Sequence, residues 1–256
     1  TTPELRHQFE DHGARVVIAW DKVASRITSM PKDLAVEHVV AVDITASMPT
    51  MMRVGLRLPL KKLAEQRREL TQPAPGTIAW KSLVDSDPIR EDHPRPAATD
   101  IALLQYTSGT TGLPKGAMLS HENLASNART LVQAWRFTAE DVLLHALPVF
   151  HTHGLFVATN TVLASGGTML FLGRFDPTQV LALLPRATAM MGVPTFYTRL
   201  LKSPRLGRET TAKMRLFVSG SAPLLAETHR AFEERTGHRI LERYGMTETN
   251  MNTSNP

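Results

Sequence analysis

Residues 141–172, DVLLHALPVFHTHGLFVATNTVLASGGTMLFL, carry the pattern that decides the fold. The run at 141–147 reads as a short buried strand, the stretch from about 155 to 164 as an amphipathic helix, and 168–172 as a second short strand. Strand, helix and strand in that order form a crossover unit, which places the two strands parallel. The alternation continues on both sides. Strands are expected at 101–106, 188–193, 215–218 and 239–243, and helices at 120–135, 177–184, 195–201 and 224–236. The expected class is therefore α/β, with mostly parallel sheets flanked by helices. Nearer the N-terminus, 3–11 reads as a helix, 14–20 (ARVVIAW) as a buried strand and 37–42 (EHVVAV) as another. Residues 71–99 are rich in proline and charge and are expected to form a surface linker. This divides the chain into residues 1–99 and 100–256, and no internal repeat is visible.

Composition narrows the function. The chain has 256 residues, 42% of them hydrophobic, which is enough for a sizeable core. Cysteine is absent, so disulfides, thiolate metal sites and a cysteine nucleophile are excluded. The most apolar stretch, 146–167, is interrupted by His151, His153, Thr159, Asn160 and Thr161, so it reads as core and not as a membrane span. The chain opens Thr1-Thr2-Pro3-Glu4, with neither an apolar leader nor an initiator Met, and a cytoplasmic location is expected. Net charge is +5, with the excess gathered in 53–68, where Arg53, Arg57, Lys61, Lys62, Arg67 and Arg68 face one acid, Glu65. Leu56, Leu60 and Leu63 fall at helical spacing there, and Pro59 should kink or break the helix. Such a segment can lie on an anionic membrane, but the favoured reading is a solvated helix face. Few aromatic residues interleave the charges, so no nucleic-acid partner is expected.

Open α/β sheets bind ligands beyond the carboxyl ends of their strands. Unusual residues cluster at four such ends, 106–108, 148–154, 219–221 and 244–249, which suggests one cleft on one sheet edge. The first opens the segment YTSGTTGLPKG at 106–116. It supplies the hydroxyls of Thr107, Ser108, Thr110 and Thr111, the glycines Gly109, Gly112 and Gly116, and Lys115. Glycines let backbone N–H groups approach a polyphosphate, and a lysine adds a point charge. The segment is not a Walker A loop, because Lys115 lies between Pro114 and Gly116. It is expected between a strand and a helix.

This segment closely resembles the phosphate loop of the adenylate-forming superfamily of acyl-CoA synthetases, luciferases and adenylation domains. LPVFHTHG at 147–154 resembles the family's aromatic substrate gate, and RYGMTET at 243–249 its adenine and Mg²⁺ motif. The resemblance implies a carboxylate attacking the α-phosphate of ATP, with coenzyme A then displacing AMP. It implies that Thr107 to Gly112 and Lys115 hold phosphates, that Thr247 holds the α-phosphate and that Glu248 takes Mg²⁺, which suits a hard cation. Gly220, Ser221, Ala222 and Pro223 would line adenine opposite Tyr244, with Arg243, Gly245 and Met246 in the same motif. Lys115, Thr247 and Glu248 would carry the catalytic charge.

Residues 100–256 further resemble the malonyl-CoA synthetase branch. That likeness implies that Arg199, in FYTRL, binds the second carboxylate of malonate, with Ser221 donating to it and His151 and Met246 in the acyl pocket. Residues 1–99 instead resemble medium- and long-chain fatty-acyl-CoA ligases, which keeps a fatty acid as the alternative substrate. Family members extend beyond YGMTET, so the chain is expected to be part of an N-terminal domain. A nucleotide-binding fragment without turnover is the remaining alternative.

Overall fold

The computed structural model describes residues 2–31, 33–107 and 113–255. These fall into two compact units. Residues up to Arg95 form the first, joined by Leu113 and Pro114; residues from Pro96 to 107 and from Lys115 onward form the second.

The first unit runs α1 (Thr2–His12), β1 (Val16–Trp20), α2 (Asp21–Thr28), β2 (His38–Val42), a 3₁₀ turn (Ile44–Ser47), α3 (Thr50–Gly55), α4 (Lys61–Leu70), β3 (Ile78–Ala79) and α5 (Trp80–Val84). Its three strands are parallel in the order β1-β2-β3, with Val17 beside Val39 and Val40 beside Ile78. Ala24 and Ile27 on α2 are buried, as are Val40 and Phe9. The β-branched run at 14–20 forms a strand as expected, but not a fully buried one. Val16, Ile18 and Trp20 are exposed, and only the alternate residues are covered. β1 is the edge of a three-stranded sheet, and period-2 side chains put half of such a strand on the uncovered face. One further expectation is corrected: the linker 71–99 contains β3 and α5. The basic segment breaks at Pro59 as expected, into α3 and α4, and Leu56 and Leu60 lie in the break.

The second unit runs β4 (Ile101–Thr107), β5 (Lys115–Ser120), α6 (His121–Ala134), β6 (Val142–His145), a π-helical turn (His153–Thr159), α7 (Asn160–Ser165), β7 (Thr168–Phe171), α8 (Pro177–Leu183), a 3₁₀ turn (Leu184–Arg186), β8 (Ala189–Gly192), α9 (Pro194–Leu201), β9 (Leu216–Ser219), α10 (Ala226–Thr236), β10 (Ile240–Tyr244) and β11 (Thr253–Ser254). Six strands form one sheet in the order β11-β10-β9-β8-β6-β7. All pair in parallel except β11, an antiparallel edge that the sequence did not announce.

Local signals explain the helix starts. The Ser120 hydroxyl accepts from the Asn123 N–H and the Asn123 amide oxygen from the Ser120 N–H, a capping box at α6. Asp176 caps α8 ahead of Pro177. Both sheet faces are covered. Leu144, Met190 and Phe217 point to one core, with Val180, Leu200 and Phe232 from α8, α9 and α10. Leu143, Met191 and Val218 point to the other, with Leu131 of α6 and Val157 and Val162 of the π turn and α7. Alternate residues of one strand thus feed opposite cores, the signature of a three-layer α/β domain. At the amino ends of these strands, Arg215 grips Asp141 through Nε to Oδ1 at 2.7 Å and Nη2 to Oδ2 at 2.6 Å.

The segment 106–116 does not lead into a helix. β4 and β5 are antiparallel partners, with Thr107 beside Lys115, so it joins two strands of a separate two-stranded sheet. β5 is KGAMLS, with Met118 exposed, and carries no apolar alternation that would mark a strand. Three of the four special loops therefore belong to one sheet edge and the fourth to its own hairpin. No helix of the described residues is long and apolar enough to cross a membrane.

Candidate active site at the carboxyl ends of the strands

The loops that follow β6, β9 and β10 enclose a cavity of about 490 Å³. From the β6 loop come Leu147, Pro148, His151, Thr152, His153 and Gly154; from β8 and α9, Val193 and Phe196. Ser221 follows β9, while Arg243, Gly245, Met246, Thr247 and Asn250 come from the end of β10 and beyond. A second cavity of about 500 Å³ shares Ser221, Arg243 and Gly245 with the first and adds Ala222, Pro223 and Tyr244. The β4 hairpin is tied to the same loops. Gln105 donates to the Phe150 carbonyl at 3.2 Å, and Thr152 donates to the Gln105 amide oxygen at 3.3 Å.

Arg243 is the dominant charge. It is buried, with 6% exposure, and among the described residues none of its hydrogen bonds goes to an acid. Its Nη2 donates to Ser221 Oγ at 3.2 Å, and its buried Nε has no partner. Burial pushes the guanidinium down to about 10, which leaves it cationic at neutral pH. The strand end is shaped for it. A Cβ on Gly220 would stand 2.4 Å from Arg243 Nε, so only glycine leaves room for the guanidinium. Gly245 has a similar constraint, because a Cβ there would fall 1.9 Å from the Asn250 carbonyl. Ser221 itself sits at φ +67°, a left-handed conformation that serine rarely adopts and that aims its hydroxyl between Arg243 and His153.

His153 meets Ser221 Oγ through Nδ1 at 3.3 Å, and its Nε2 is buried without a partner. Burial holds its imidazole well below the ordinary value, and the charges of Arg243 and His145 push the same way, so it is neutral. His145, at the end of β6, donates from Nε2 to the Gly154 carbonyl at 2.9 Å, which also accepts from Thr159. This fixes the π-helical turn that carries His153. Asn250 contributes a further buried, unpartnered oxygen at φ +57°. The cavity thus offers one unneutralised cation, a hydroxyl, a neutral imidazole and apolar walls at Leu147, Val193 and Phe196. That set suits an anionic group on a small organic molecule.

The expected residues divide into several groups. His151, Ser221, Arg243, Gly245, Met246 and Thr247 line the first cavity, and Ala222, Pro223 and Tyr244 the second. Gly220 lies directly behind Arg243. Thr107 and Lys115 face each other at the base of the hairpin, with Lys115 exposed. Ser108, Gly109, Thr110, Thr111 and Gly112 lie outside the described residues. Arg199 is exposed on α9 and is not among the residues of the cavity wall. Its guanidinium lies 4.9 Å over the Phe175 ring, which stacks at 3.8 Å on Phe196, a wall residue. Glu248 is exposed beside Thr247, and among the described residues no three His, Cys, Asp or Glu side chains converge as metal ligands. An ion held by one carboxylate and by substrate oxygens fits this arrangement; a protein-only cage does not. His153 and Asn250 were missed. His153 lies two residues beyond His151 in the same HTHG run, so a signal for it was present. Asn250 owes its place to a turn that the sequence does not mark.

The chain matches the AMP-binding enzyme family over residues 1–256. It is 37% identical over 258 residues to a long-chain-fatty-acid–CoA ligase of Bacillus subtilis, covering 97% of this chain and 45% of that protein. It is 40% identical over 171 residues to the mitochondrial malonate–CoA ligase of Homo sapiens, covering 60% of this chain and 30% of that protein. Crystal structures of MatB from Rhodopseudomonas palustris superpose on the whole chain, apo at 46% identity and TM-score 0.76, and with ATP bound at 47% and 0.75; each match covers 45% of MatB. The chain therefore spans less than half the length of each of these relatives. A match along its entire length, together with a parallel sheet whose carboxyl-end loops build this paired cavity, makes the chain a member of the AMP-binding enzyme family with the N-terminal-domain fold of its adenylate-forming acyl-CoA ligases.

Proposed function

We propose that the chain supplies the nucleotide and carboxylate pockets of an ATP-dependent acid–thiol ligase, and that its acid is a short dicarboxylate, malonate foremost. The observation that carries the reading is Arg243, a buried arginine with no hydrogen bond to an acid among the described residues, on the wall of a cavity that also holds Ser221 and neutral His153. A buried cation is costly until an anion meets it, and a guanidinium meets a carboxylate through two parallel hydrogen bonds. One carboxylate of the substrate would be neutralised there while the other attacks the α-phosphate of ATP. Arg199 is the second cation within reach of this site, one pair of stacked rings behind the wall. The relatives that act on malonate support the same substrate class.

The other roles follow the sequence reading. Ala222, Pro223 and Tyr244 border the second cavity, where adenine is assigned. Thr247 is assigned to the α-phosphate. Thr107 to Gly112 and Lys115 are assigned to the phosphates. Glu248 would hold Mg²⁺, which neutralises charge between phosphate oxygens when bound. Coenzyme A is the thiol acceptor. A second reading, a fatty acid, draws on the apolar walls at Leu147, Val193 and Phe196 and on the Bacillus relative.

Titration of malonate and of octanoate into the full chain with MgATP separates the two. Malonate is expected to bind at least about tenfold more tightly, because an apolar tail leaves Arg243 buried and unpaired. Arg243→Leu should abolish that preference. Tighter binding of octanoate, or a malonate preference unchanged in Arg243→Leu, overturns the dicarboxylate assignment. In the latter case, Arg199→Leu tests the other cation.

A further inference from the structure

We infer that residues 50–62 of the first unit form a docking surface for an anionic lipid bilayer. The segment comprises α3, the break around Pro59 and the first two residues of α4. Neither α3 nor α4 contributes a buried residue. Met51 is 88% exposed, Met52 58% and Leu60 57%, and Val54 and Leu58 are exposed as well. Scattered single exposures of this kind are ordinary, but five large apolar side chains within ten residues are a patch, and such a patch on a soluble domain marks a surface that is covered in use.

The charges identify the cover. Residues 50–62 hold Arg53, Arg57, Lys61 and Lys62 and no acid. None of the four has an ion-pair partner among the described residues; Arg53 reaches only the Ala46 carbonyl, at 3.4 Å. Apolar side chains interleaved with unpaired cations are complementary to a bilayer with anionic headgroups, where the first enter the acyl boundary and the second meet phosphates. The competing occupants fit less well. A nucleic acid would be met by stacking aromatics, and the segment has none. A second copy of this chain, packed patch to patch, would bring four cations against four. A protein partner would be expected to find tryptophan or tyrosine anchors, which are also absent. Pro59 matters here because it stops α3 and α4 from merging into one straight helix, which frees Leu58 and Leu60 in the break.

The test is co-sedimentation of the full chain with phosphatidylcholine vesicles and with vesicles containing about one-third phosphatidylglycerol. Bound protein should rise about tenfold or more with the anionic lipid and should fall as salt is raised, since headgroup attraction is screened. Two double variants separate the contributions. Met51→Ser with Leu60→Ser should weaken binding to anionic vesicles, and Lys61→Gln with Lys62→Gln should weaken it and flatten its salt dependence. All four side chains are exposed, so thermal unfolding should not change in either. Equal binding to both vesicle types, no binding, or undiminished binding by both variants would overturn the proposal. So would concentration-dependent self-association that Met51→Ser with Leu60→Ser abolishes while vesicles bind nothing.

Discussion

The two parallel sheets of this chain are built from similar words and reach different burial. β8 (AMMG) and β9 (LFVS) are buried at every position, with cores on both faces. β1 (VVIAW) is at least as apolar and more β-branched, yet every second residue is exposed. The number of layers differs, and the composition does not. Helices cover both faces of the six-stranded sheet, whereas β1 stands at the edge of three strands. Apolar content alone therefore says that a segment is a strand, not how deeply the strand lies.

Truncations give the largest contrast. Phe217→Ala removes a ring packed edge-on against Tyr197 and Phe232 in the fully buried core, and should lower unfolding stability by about 3–5 kcal/mol in urea titrations. A loss below about 1 kcal/mol would mean that this core is loosely packed and the contrast is weaker than described.

The clamp at the amino ends of the large sheet comes next. Burial would raise the Asp141 carboxyl, but Arg215, Thr188 and the Thr138 N–H outweigh it and hold the group below its usual range. A depressed folded value means that its stabilisation is complete above the unfolded value near about 4 and is lost as pH falls through the folded value. Asp141→Asn should thus cost about 3 kcal/mol at neutral pH, the low end for a broken buried pair because Arg215 is partly exposed. The gap to the parent should stay constant down to about pH 5 and close below about pH 4. A gap independent of pH would assign the cost to packing instead of charge.

At the other end of the strands the expected effect is on binding. Gly220→Ala would place a methyl against the Arg243 guanidinium and should weaken dicarboxylate binding about tenfold, with about 1 kcal/mol or less lost in stability. Unchanged malonate affinity would show that Arg243 moves freely and is not held for a ligand. The smallest effect is reserved for β1. Ile18→Ala should cost less than about 1 kcal/mol, because the side chain is already mostly in water. A loss comparable to that of Phe217→Ala would remove the contrast between the sheets.

The identity of the fold was legible in local words. Strand-length apolar runs separated by amphipathic helices specify a parallel α/β sheet, because the side-chain periods of 2 and 3.6 are properties of the backbone. The motifs at 147–154 and 243–249 fall at the carboxyl edge of that sheet, since glycines, hydroxyls and charges concentrated at strand ends have little use in a core, whereas 106–116 falls in a separate hairpin. What depends on contacts distant in sequence was not legible. The hairpin partner β5 gains its strand conformation from β4 and not from its own pattern. The antiparallel edge β11 depends on a turn beyond Tyr244. The cation at the cavity wall was a matter of packing as well: Arg199 and Arg243 are equally charged in the sequence, but only Arg243 is drawn over a glycine and sealed between Ser221 and the neighbouring loops. Sequence determines which side chains are available and which way each element alternates. Tertiary structure alone decides which of them lose water, because burial is a property of what lies across from a residue and not of the residue itself.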